Sequence, residues 1–309
     1  MSNNSLVCVL LLNYNGKHLL KDSLSSYLAN DYPNFEIVLI DNGSVDGSQE
    51  YVRTQFPQVH LIENGKNLGY SGGFNAGLEY TFQIRNAKYA LVSNNDIKAD
   101  RKVISELVTV AESDPTIGFV TGKVFYFDNP TVFQTVGKRE DPIRWNGSHI
   151  GQGEHDQGQY DQICERIFAD DIFTLVKGAM YRELGGYDTT FFLQCEEYDW
   201  QARAKLAGYK IMYTPYAKIW HKESATLGKA SAKKMYYDAR NPLIVIMRYK
   251  STLFFRRFMW HHLYDFVIKA SLVNLKRLQP KISYKIWQGF FSGLIWGTRN
   301  RILSVRHFI

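Results

Sequence analysis

Polar clusters follow four successive apolar segments of this chain, at the point where each segment ends. They lie at residues 13–16, 41–48, 67–77 and 93–96, and they are rich in asparagine, aspartate and glycine. Amides and carboxylates can bind the base and ribose of a nucleotide, and glycines let a backbone approach a phosphate closely. Each cluster alone is equally typical of a turn, so the chemistry depends on whether the fold brings the four together.

A second set of polar residues, Glu196, Glu197 and Asp199, forms an acidic knot at the start of a predicted helix. One carboxylate of such a knot can take a proton from a hydroxyl, and neighbouring negative charges can raise the pKa of one member. Acids at a helix start also complement the helix dipole. Arg203 stands one turn after Asp199, a spacing that predicts an ion pair.

The apolar segments predict the elements that position these residues. Buried strands are predicted at residues 6–12, 35–40, 59–63 and 88–93, and helices at 17–29, 46–56, 71–84 and 100–113. This alternation indicates a parallel α/β sheet, with the polar clusters at the carboxyl ends of its strands, where ligands bind. A helix that starts near Gly72 and Gly73 favours an anion such as a pyrophosphate at its N-terminus.

The second half of the chain has a less regular pattern. Short strand-like pieces between residues 117 and 176, separated by a polar stretch near 146–162, predict an irregular and partly antiparallel sheet. A helix is predicted at 196–207 and a strand at 210–220, and the chain from residue 230 onward has helical spacing.

The composition, 45% hydrophobic and 22% charged over 309 residues, is that of a globular protein and excludes a disordered or fibrous chain. The charge is segregated, since residues 240–309 carry +12 and the residues before them carry −5. Aromatic residues alternate with Arg and Lys in this basic segment, which is typical of helices at an anionic membrane surface. The pattern also fits helices that pack on the rest of the chain or on a second copy. Nucleic acid is not expected as a partner, because no recognition motif accompanies the charge.

The cysteines are Cys8, Cys164 and Cys195, and their odd number and their spacing argue against a disulfide framework and a thiolate zinc site. The N-terminus lacks the basic start and cleavage site of a signal peptide. No apolar run reaches the roughly 18–20 residues of a membrane-spanning helix. We therefore expect a cytoplasmic protein.

Taken in order, the motifs resemble family 2 glycosyltransferases of the GT-A fold, above all the rhamnosyltransferase-like branch that builds bacterial surface polysaccharides. The resemblance covers roughly residues 6–250. It is carried by Asp41-Asn42-Gly43-Ser44-x-Asp46-Gly47-Ser48, Asn67-x-Gly69-Tyr70-x-Gly72-Gly73-x-Asn75-x-Gly77, Asn94-Asn95-Asp96, Lys177-Gly178-Ala179-Met180, Gly185-Gly186-Tyr187-Asp188, Phe191-Phe192, Glu196-Glu197-x-Asp199 and Trp220-His221.

The resemblance implies an α/β GT-A nucleotide-diphospho-sugar transferase fold, in which a mostly parallel Rossmann-like sheet is flanked by helices, with a helical, basic C-terminal extension. It implies a catalytic domain at residues 1–228, with a nucleotide-binding half at 1–116 and an acceptor-binding half at 117–228. The helical region 229–309 would then contact a membrane surface or another subunit.

The resemblance also assigns roles to residues. The expected nucleotide-sugar-binding residues are Asn13, Asn15, Asp41, Asn42, Ser44, Asn67, Gly69, Gly72, Gly73, Asn75, Asn94 and Asn95, with Asp41 at the nucleobase. Asn94-Asn95-Asp96 matches the metal-binding DxD signature, so Asp96 and His221 are the expected ligands of Mg²⁺ or Mn²⁺. His221 fits a structural role equally well. Glu197 is the expected base, with Glu196 and Asp199 as alternatives.

Two residues depart from the family pattern. Asn94 stands where the signature has its first acid, and Glu197 stands where the family usually has Asp.

The activity that the resemblance implies is metal-dependent, inverting transfer of a sugar to a lipid-linked cell-surface polysaccharide at the inner face of the membrane. The expected sugar is rhamnose, from dTDP-rhamnose. A sugar-phosphate nucleotidyltransferase is disfavoured, because no glycine-rich basic loop follows the first strand. The departures leave open a catalytically impaired homologue that binds nucleotide-sugar or membrane as the partner of another transferase.

Overall fold

The first half of the chain folds as a parallel sheet. The computed structural model describes residues 4–222 and 231–299. The first strands are β1 (Val7–Asn13), β2 (Phe35–Asp41), β3 (His60–Glu63) and β4 (Tyr89–Asn94). β1 lies between β2 and β4, and β3 pairs with β2, all in parallel. The predicted parallel sheet is therefore confirmed.

The second half extends this sheet with strands of both directions. They are β5 (Ile97–Ala99), β6 (Ile117–Tyr126), β7 (Phe133–Thr135), β8 (Lys138–Asp141), β9 (Trp145–His149), β10 (Cys164–Glu165), β11 (Phe173–Lys177) and β12 (Lys210–His221). The main order is β10-β12-β6-β11-β4-β1-β2-β3, with β5 on β12 and β7 on β6. β8 and β9 form a separate hairpin. The prediction of a partly antiparallel half is confirmed, whereas the hairpin begins within a stretch that carries no strand pattern.

Six helices cover the two faces of the sheet. They are α1 (Leu20–Leu28), α2 (Ser48–Gln55), α3 (Gly69–Glu79), α4 (Val103–Ser113), α5 (Gly178–Leu184) and α6 (Glu196–Leu206). Alternate residues of β1 enter two separate apolar clusters, because successive side chains of a strand point to opposite faces. One cluster includes residues of α1, α2 and α4, and the other includes residues of α3, α5 and α6. The predicted helix 71–84 continues past α3 as a π-helical turn, Tyr80–Ile84.

The remaining helices pack on this α/β body. They are α7 (Ala232–Tyr249), α8 (Thr252–His262), α9 (Lys269–Lys276) and α10 (Pro280–Arg299), with a π-helical turn, Leu263–Ile268, between α8 and α9. Tyr198 and Ala202 of α6 share an apolar cluster with Leu243 of α7 and Phe290 of α10. The predicted boundary at residues 228 and 229 lies outside the described residues.

Glycines let α10 approach α7 closely. Gly289, Gly293 and Gly297 recur four residues apart, and a Cβ atom at Gly293 would lie 2.8 Å from the carbonyl oxygen of Arg240. Larger side chains at these positions would separate the two helices. Among the described helices, none combines the length and the apolar character needed to cross a membrane.

Candidate active site

The predicted site residues converge on one edge of the sheet. Asn13 ends β1, Asp41 ends β2, Asn94 ends β4 and His221 ends β12. β11 is antiparallel to both β4 and β6, and β12 is parallel to β6. β12 therefore points the same way as β4, and the carboxyl ends of these four strands lie along the same edge.

A hydrogen-bond network joins the ends of β1, β2 and β4. The Asn13 amide donates to Asp41 Oδ2 and to Ser44 Oγ, both at 3.1 Å, and the Asn95 amide donates to Asn13 Oδ1 at 2.8 Å. All four side chains are buried. Their mutual bonds satisfy polar groups that would be costly to bury alone, and they fix the relative positions of the three strand ends.

Asp41 organises the turn that follows β2. Its Oδ1 atom accepts from the Ser44 backbone N–H and from the Gln49 side chain, both at 2.9 Å. Asn15 reaches this turn from β1, since its N–H donates to Ser44 Oγ at 2.9 Å and its Oδ1 accepts from the Val45 N–H at 2.8 Å. Both Asp41 oxygens are engaged within the protein, so the nucleobase contact expected of Asp41 stays a prediction.

Asn42 and Asn67 tie this turn to the start of α3. The Asn42 amide donates to Gly69 O at 3.0 Å and to Asn67 Oδ1 at 3.3 Å. Asn42 Oδ1 in turn accepts from the Leu68 N–H at 3.0 Å, and Asn67 Oδ1 accepts from the Gly69 N–H at 2.8 Å. Two amides at the start of α3 are thus bonded to the protein's own side chains.

The loop at residues 191–192 covers the start of α3. The Tyr70 N–H donates to the Phe192 carbonyl at 2.8 Å, and the Ser71 hydroxyl donates to the Phe191 carbonyl. Gly69 has a φ of 79°, and a Cβ atom there would collide with Phe192, so this approach requires glycine. The Leu68, Gly69 and Tyr70 amides are thus engaged within the protein, and a pyrophosphate at the start of α3 near Gly72 and Gly73 stays a prediction.

Gly72, Gly73 and Asn75 each have a contact within the fold. Gly73 allows α3 to lie close to β1, because a Cβ atom there would be 2.5 Å from Leu12 Cδ1. The Asn75 amide donates to the Tyr187 carbonyl at 2.8 Å, and its Oδ1 accepts from the Tyr187 N–H at 2.9 Å. The nucleotide-binding role of these three residues stays a prediction.

Asp96 and His221 face one another. β5 pairs with β12 and places Ile97 opposite His221, so Asp96 lies beside the imidazole. His221 Nε2 is 3.1 Å from Asp96 Oδ1 and 3.4 Å from the Asn94 amide nitrogen. Asp96 and His221 are both buried, at 7% and 6% exposure.

Gln134 sets the tautomer of His221. His221 Nδ1 lies 2.8 Å from Gln134 Oε1, so Nδ1 carries the proton that this acceptor requires. Nε2 is then an acceptor, with the Asn94 amide as a long-range donor at 3.4 Å. Asp96 Oδ1 lies beside it and has no hydrogen-bond partner in the part of the chain that the structure describes. Two buried acceptors 3.1 Å apart need a proton or a cation between them. A protonated imidazole meets this need as an ion pair, and a divalent metal ion meets it as well, because one carboxylate oxygen and one imidazole nitrogen are ligands that such an ion accepts.

Asp96 and His221 provide only part of a coordination shell. Within residues 4–222 and 231–299, no cluster of three or more His, Cys, Asp or Glu side chains is placed to hold a metal ion. Asn94 adds no negative charge. Mg²⁺ and Mn²⁺ accept oxygen ligands from water and phosphate, so the shell would be completed by a bound diphosphate.

Glu196 and Glu197 begin α6 beside a buried lysine. The Lys138 ammonium is 3.3 Å from Glu197 Oε1 and 3.5 Å from Asp170 Oδ2. His149 Nδ1 is 3.1 Å from the same Asp170 oxygen. Lys138 and His149 are paired across the β8–β9 hairpin, so this hairpin delivers two basic side chains to the acidic knot.

Glu196 and its neighbours Asp170 and Asp171 differ in the direction in which their pKa values are shifted. Burial and the charge of Glu197 raise the pKa of Glu196 well above its usual range, and the same two causes raise the pKa of Asp171. Burial acts in the same direction on Asp170, but the hairpin's basic groups outweigh it and lower the pKa of Asp170. Glu196 Oε2 finds no hydrogen-bond partner among the described residues. Glu196 and Asp171 thus favour their neutral forms.

Asp199 is fully buried, with both oxygens engaged. Its Oδ2 atom pairs with Arg203 Nε at 3.0 Å, which confirms the predicted ion pair. Its Oδ1 atom is 2.6 Å from the Arg248 guanidinium and accepts from the Tyr249 hydroxyl at 2.7 Å. A carboxylate held in this way favours a structural role over that of the base, and Asp199 as an alternative base stays a prediction of the sequence.

Sequence reasoning misses several polar residues of this site. They are Gln134, Lys138, His149, Asp170 and Asp171. Asp170 and Asp171 lie one residue before the buried strand β11. Acids just before an apolar run are a signal that could have identified them. The other three lie on short, irregular strands, where no periodic pattern marks a position.

A cavity of about 410 Å³ opens beside His221. It is lined by residues 126–129, Val132, His221 and Lys222. Its volume lies in the range of small-molecule sites, so it offers room for a ligand next to the Asp96–His221 pair.

Residues 8–169 match the family described as Glycosyl transferase family 2. The chain belongs to this family. As a family 2 glycosyltransferase, it transfers a sugar from a nucleotide-sugar donor, an activity that suits the polar edge described above.

The chain is similar to two curated family 2 proteins that are named for different sugars. It is 24% identical over 238 residues to N-acetylglucosaminyl-diphospho-decaprenol L-rhamnosyltransferase of Mycobacterium tuberculosis, over 71% of this chain and 76% of the relative. It is 24% identical over 257 residues to poly-beta-1,6-N-acetyl-D-glucosamine synthase of Staphylococcus aureus, over 82% of this chain and 58% of the relative.

Solved structures show the fold of the glycosyltransferase. A mannosyltransferase from Pyrobaculum calidifontis in complex with GDP-Man and Mn²⁺ superposes with a TM-score of 0.54 at 16% identity, over 97% of this chain and 81% of that one. GalNAc-T7 with UDP, GalNAc and Mn²⁺ superposes with a TM-score of 0.64 at 13% identity, over 96% and 58%. The predicted GT-A-like fold, a mostly parallel sheet flanked by helices with further C-terminal helices, is confirmed.

Proposed function

We propose that this family 2 glycosyltransferase is a metal-dependent, inverting enzyme whose metal site is Asp96 and His221. The observation that carries the proposal is the pair of buried acceptors, Asp96 Oδ1 and His221 Nε2, 3.1 Å apart at the carboxyl edge of the sheet. The two solved structures named above contain Mn²⁺ with a nucleotide or nucleotide-sugar. When bound, the metal would neutralise charge on the leaving diphosphate.

Glu197 is the proposed base. An inverting transfer needs one carboxylate that takes the proton of the acceptor hydroxyl. The Glu197 side chain is 14% exposed and has the Lys138 ammonium at 3.3 Å. Glu196 is 5% exposed, and its raised pKa favours a form that already holds the proton. Glu197 is therefore the better placed member of the pair.

We propose rhamnose from dTDP-rhamnose as the donor sugar and a lipid-linked polysaccharide as the acceptor. The support is the motif pattern together with the Mycobacterium tuberculosis relative, whose name describes rhamnosyl transfer to a diphospho-decaprenol. The Staphylococcus aureus relative is named for a different sugar, so the donor has to be tested directly.

A thermal-shift panel tests the metal site and the donor class. The purified protein is heated with dTDP, UDP, GDP or CDP, each with Mn²⁺ and with EDTA. A nucleotide at about 100 times its Kd stabilises a protein by about 2.7 kcal/mol. We expect stabilisation by dTDP that EDTA abolishes. Equal stabilisation with and without metal would refute the metal site, and a response to another base would refute dTDP.

Transfer itself is tested with dTDP-rhamnose and a short-chain diphosphate-linked N-acetylglucosamine acceptor. In the expected product, rhamnose is linked to the acceptor in the anomeric configuration opposite to its configuration in dTDP-rhamnose. A folded protein that binds dTDP and Mn²⁺ but transfers no sugar would instead favour the catalytically impaired homologue, a binding partner of another transferase.

The exposed surface of α8 and α9 is proposed to contact an anionic membrane. Trp260 and Tyr264 are more than half exposed, and their rings lie side by side at 6.3 Å. Leu272 and Leu275 are also about half exposed, next to the exposed Lys276. Apolar and cationic side chains on one surface match a membrane interface that is both apolar and negatively charged.

Point variants test this surface better than truncation, because removal of α8–α10 would expose the apolar cluster that they share with α6. We expect K276E/R277E and W260S each to weaken binding to phosphatidylglycerol vesicles at least about tenfold. Ile84→Ser, which changes an apolar residue 69% exposed on the α/β body, is the control. Unchanged vesicle binding together with a loss of dimers would indicate an oligomer contact instead.

A further inference from the structure

The turn that leads into the acidic knot has an unusual backbone. Gln194 and Cys195, directly before Glu196, have φ angles of 72° and 70°. Neither is glycine, and left-handed backbone is unfavourable for residues that carry a Cβ atom. Such a conformation persists only where contacts with the surrounding structure stabilise it. Two consecutive left-handed residues therefore require strong stabilising contacts.

A single side chain of α7 provides these contacts. The Asn241 amide donates to the Leu193 carbonyl at 2.7 Å and to the Gln194 carbonyl at 2.9 Å. Its Oδ1 atom accepts from the Arg240 guanidinium at 2.7 Å. Asn241 is fully buried, so its donors have no water as an alternative partner. Its two bonds fix the carbonyl directions on which the left-handed turn depends.

Further contacts join α7 to both sides of this turn. Before the turn, the Tyr237 ring stacks on Phe192 at 5.4 Å, and the Arg240 guanidinium donates to the Thr190 carbonyl at 2.9 Å. After the turn, the Arg248 guanidinium pairs with Asp199 of α6 at 2.6 Å. The start of α6 is therefore held from α7 at three successive points along the chain.

We propose that α7 belongs to the catalytic apparatus, and that Asn241 is a positioning residue that aims the start of α6, with Glu197, at the site. The proposal rests on the proposed function insofar as Glu197 is the base. It differs from the domain division expected from the sequence, in which residues 1–228 form the catalytic domain without α7.

The test compares Asn241→Asp with a matched control. Asn241→Asp keeps the size of the side chain but replaces two donors by an acceptor that faces two carbonyls. Asn274→Asp makes the same change at a buried asparagine of α9, whose amide donates to the Ala270 carbonyl at 2.8 Å. Asn241→Ala, which removes both donors without adding charge, is the second variant should Asn241→Asp not fold.

Cys195 reports on the turn without any assay of activity. Burial raises the pKa of its thiol well above the usual range, so it reacts slowly while the turn is closed. N-ethylmaleimide labelling of the native full chain, located by peptide mass, measures how often the turn opens. We expect Asn241→Asp to accelerate labelling of Cys195 at least about tenfold, because opening of the turn no longer breaks the two buried hydrogen bonds that Asn241 donates.

We also expect Asn241→Asp to lower kcat by about 10- to 100-fold, because a displacement of the base by about 1 Å has such an effect. The Kd for the nucleotide found in the thermal-shift panel should stay unchanged, since the nucleotide residues lie on other elements. Adding Gln194→Gly, which accepts left-handed backbone, should restore part of kcat. Asn274→Asp should leave both labelling and kcat unchanged.

Two results would overturn the proposal: unchanged labelling of Cys195 in both Asn241 variants, or faster labelling with an unchanged kcat. The proposed function fails by a different result, which is full activity of Glu197→Gln. The two failures are distinguishable, because the labelling experiment needs neither donor nor acceptor.

Discussion

Replacing Asp96 by asparagine should abolish metal-dependent nucleotide binding while making the metal-free protein more stable. In the wild type, Asp96 Oδ1 faces the lone pair of His221 Nε2 at 3.1 Å, with Gln134 holding the proton on Nδ1. Asparagine is the same size and can turn its NH₂ group toward Nε2. The variant then has a donor where the wild type needs a proton or a cation.

The magnitude follows from one new buried hydrogen bond, worth about 1 kcal/mol. For a chain of this length, that corresponds to a rise in Tm of about 2 °C. The measurement is thermal unfolding at pH 8 in EDTA, where an imidazole is ordinarily neutral, followed by the same scan with Mn²⁺ and nucleotide. The wild type should gain about 2.7 kcal/mol at 100 times Kd, and the variant should lose the part that depends on metal.

Asp100→Asn is the matched control, because Asp100 follows the same short strand, β5, and accepts from the Lys102 N–H at 2.9 Å. It should keep the metal-dependent stabilisation of the wild type. The reasoning is refuted if Asp96→Asn unfolds several degrees below the wild type in EDTA, since the two acceptors would then not oppose one another. Metal-dependent nucleotide binding in the variant would refute the ligand assignment.

Three further changes test other parts of the site and fold. Glu197→Gln should lower kcat by about 10²- to 10⁴-fold with unchanged nucleotide binding, and wild-type turnover would exclude Glu197 as the base. Folding raises the pKa of Glu196, so its proton uptake makes stability fall as pH rises above the usual Glu range. The Tm advantage of Glu196→Gln should therefore grow between pH 5 and pH 8, and a constant difference would contradict this. Gly293→Ala places a Cβ atom 2.8 Å from Arg240 O, which should cost about 1–3 kcal/mol of unfolding free energy, and an unchanged Tm would show that α10 can shift.

The parallel half of the fold could be predicted because its central strands, β1 and β4, are buried on both faces. Each is an apolar run that ends in polar residues, and the position of these polar ends follows from the topology of such sheets. The β8–β9 hairpin has no comparable signal, since Lys138 and His149 are polar residues that become buried or half-buried only in the assembled site. Their contacts depend on tertiary packing, which local sequence pattern does not encode.

The same limit explains why individual roles within the clusters were harder to predict than their location. Asn42, Asn67 and Asn75 are typical of ligand contacts, yet each also bonds the protein's own backbone. A polar side chain at a strand end can bind a ligand or hold the loop that binds it, and both roles favour asparagine. Sequence alone therefore predicts where the polar cluster lies, but not which of its residues bind a ligand and which stabilise the loop.

The segregated charge has two physical causes that the sequence does not separate. Part of the basic segment neutralises the acidic body: Arg248 pairs with Asp188 and Asp199, and Lys250 pairs with Glu140 at 2.7 Å. These cations lie at the end of α7 and after it, and they hold the helix to the site. The cations of α8 and α9, such as Arg256 and Lys276, are instead exposed beside exposed aromatic and aliphatic side chains. A basic C-terminal segment thus combines an internal electrostatic contact to α6 with an exposed basic and apolar surface, which we propose contacts anionic lipid. Charge reversal should accordingly have different consequences at different positions of the basic segment. At Arg248 it should impair turnover, and at Lys276 it should impair vesicle binding.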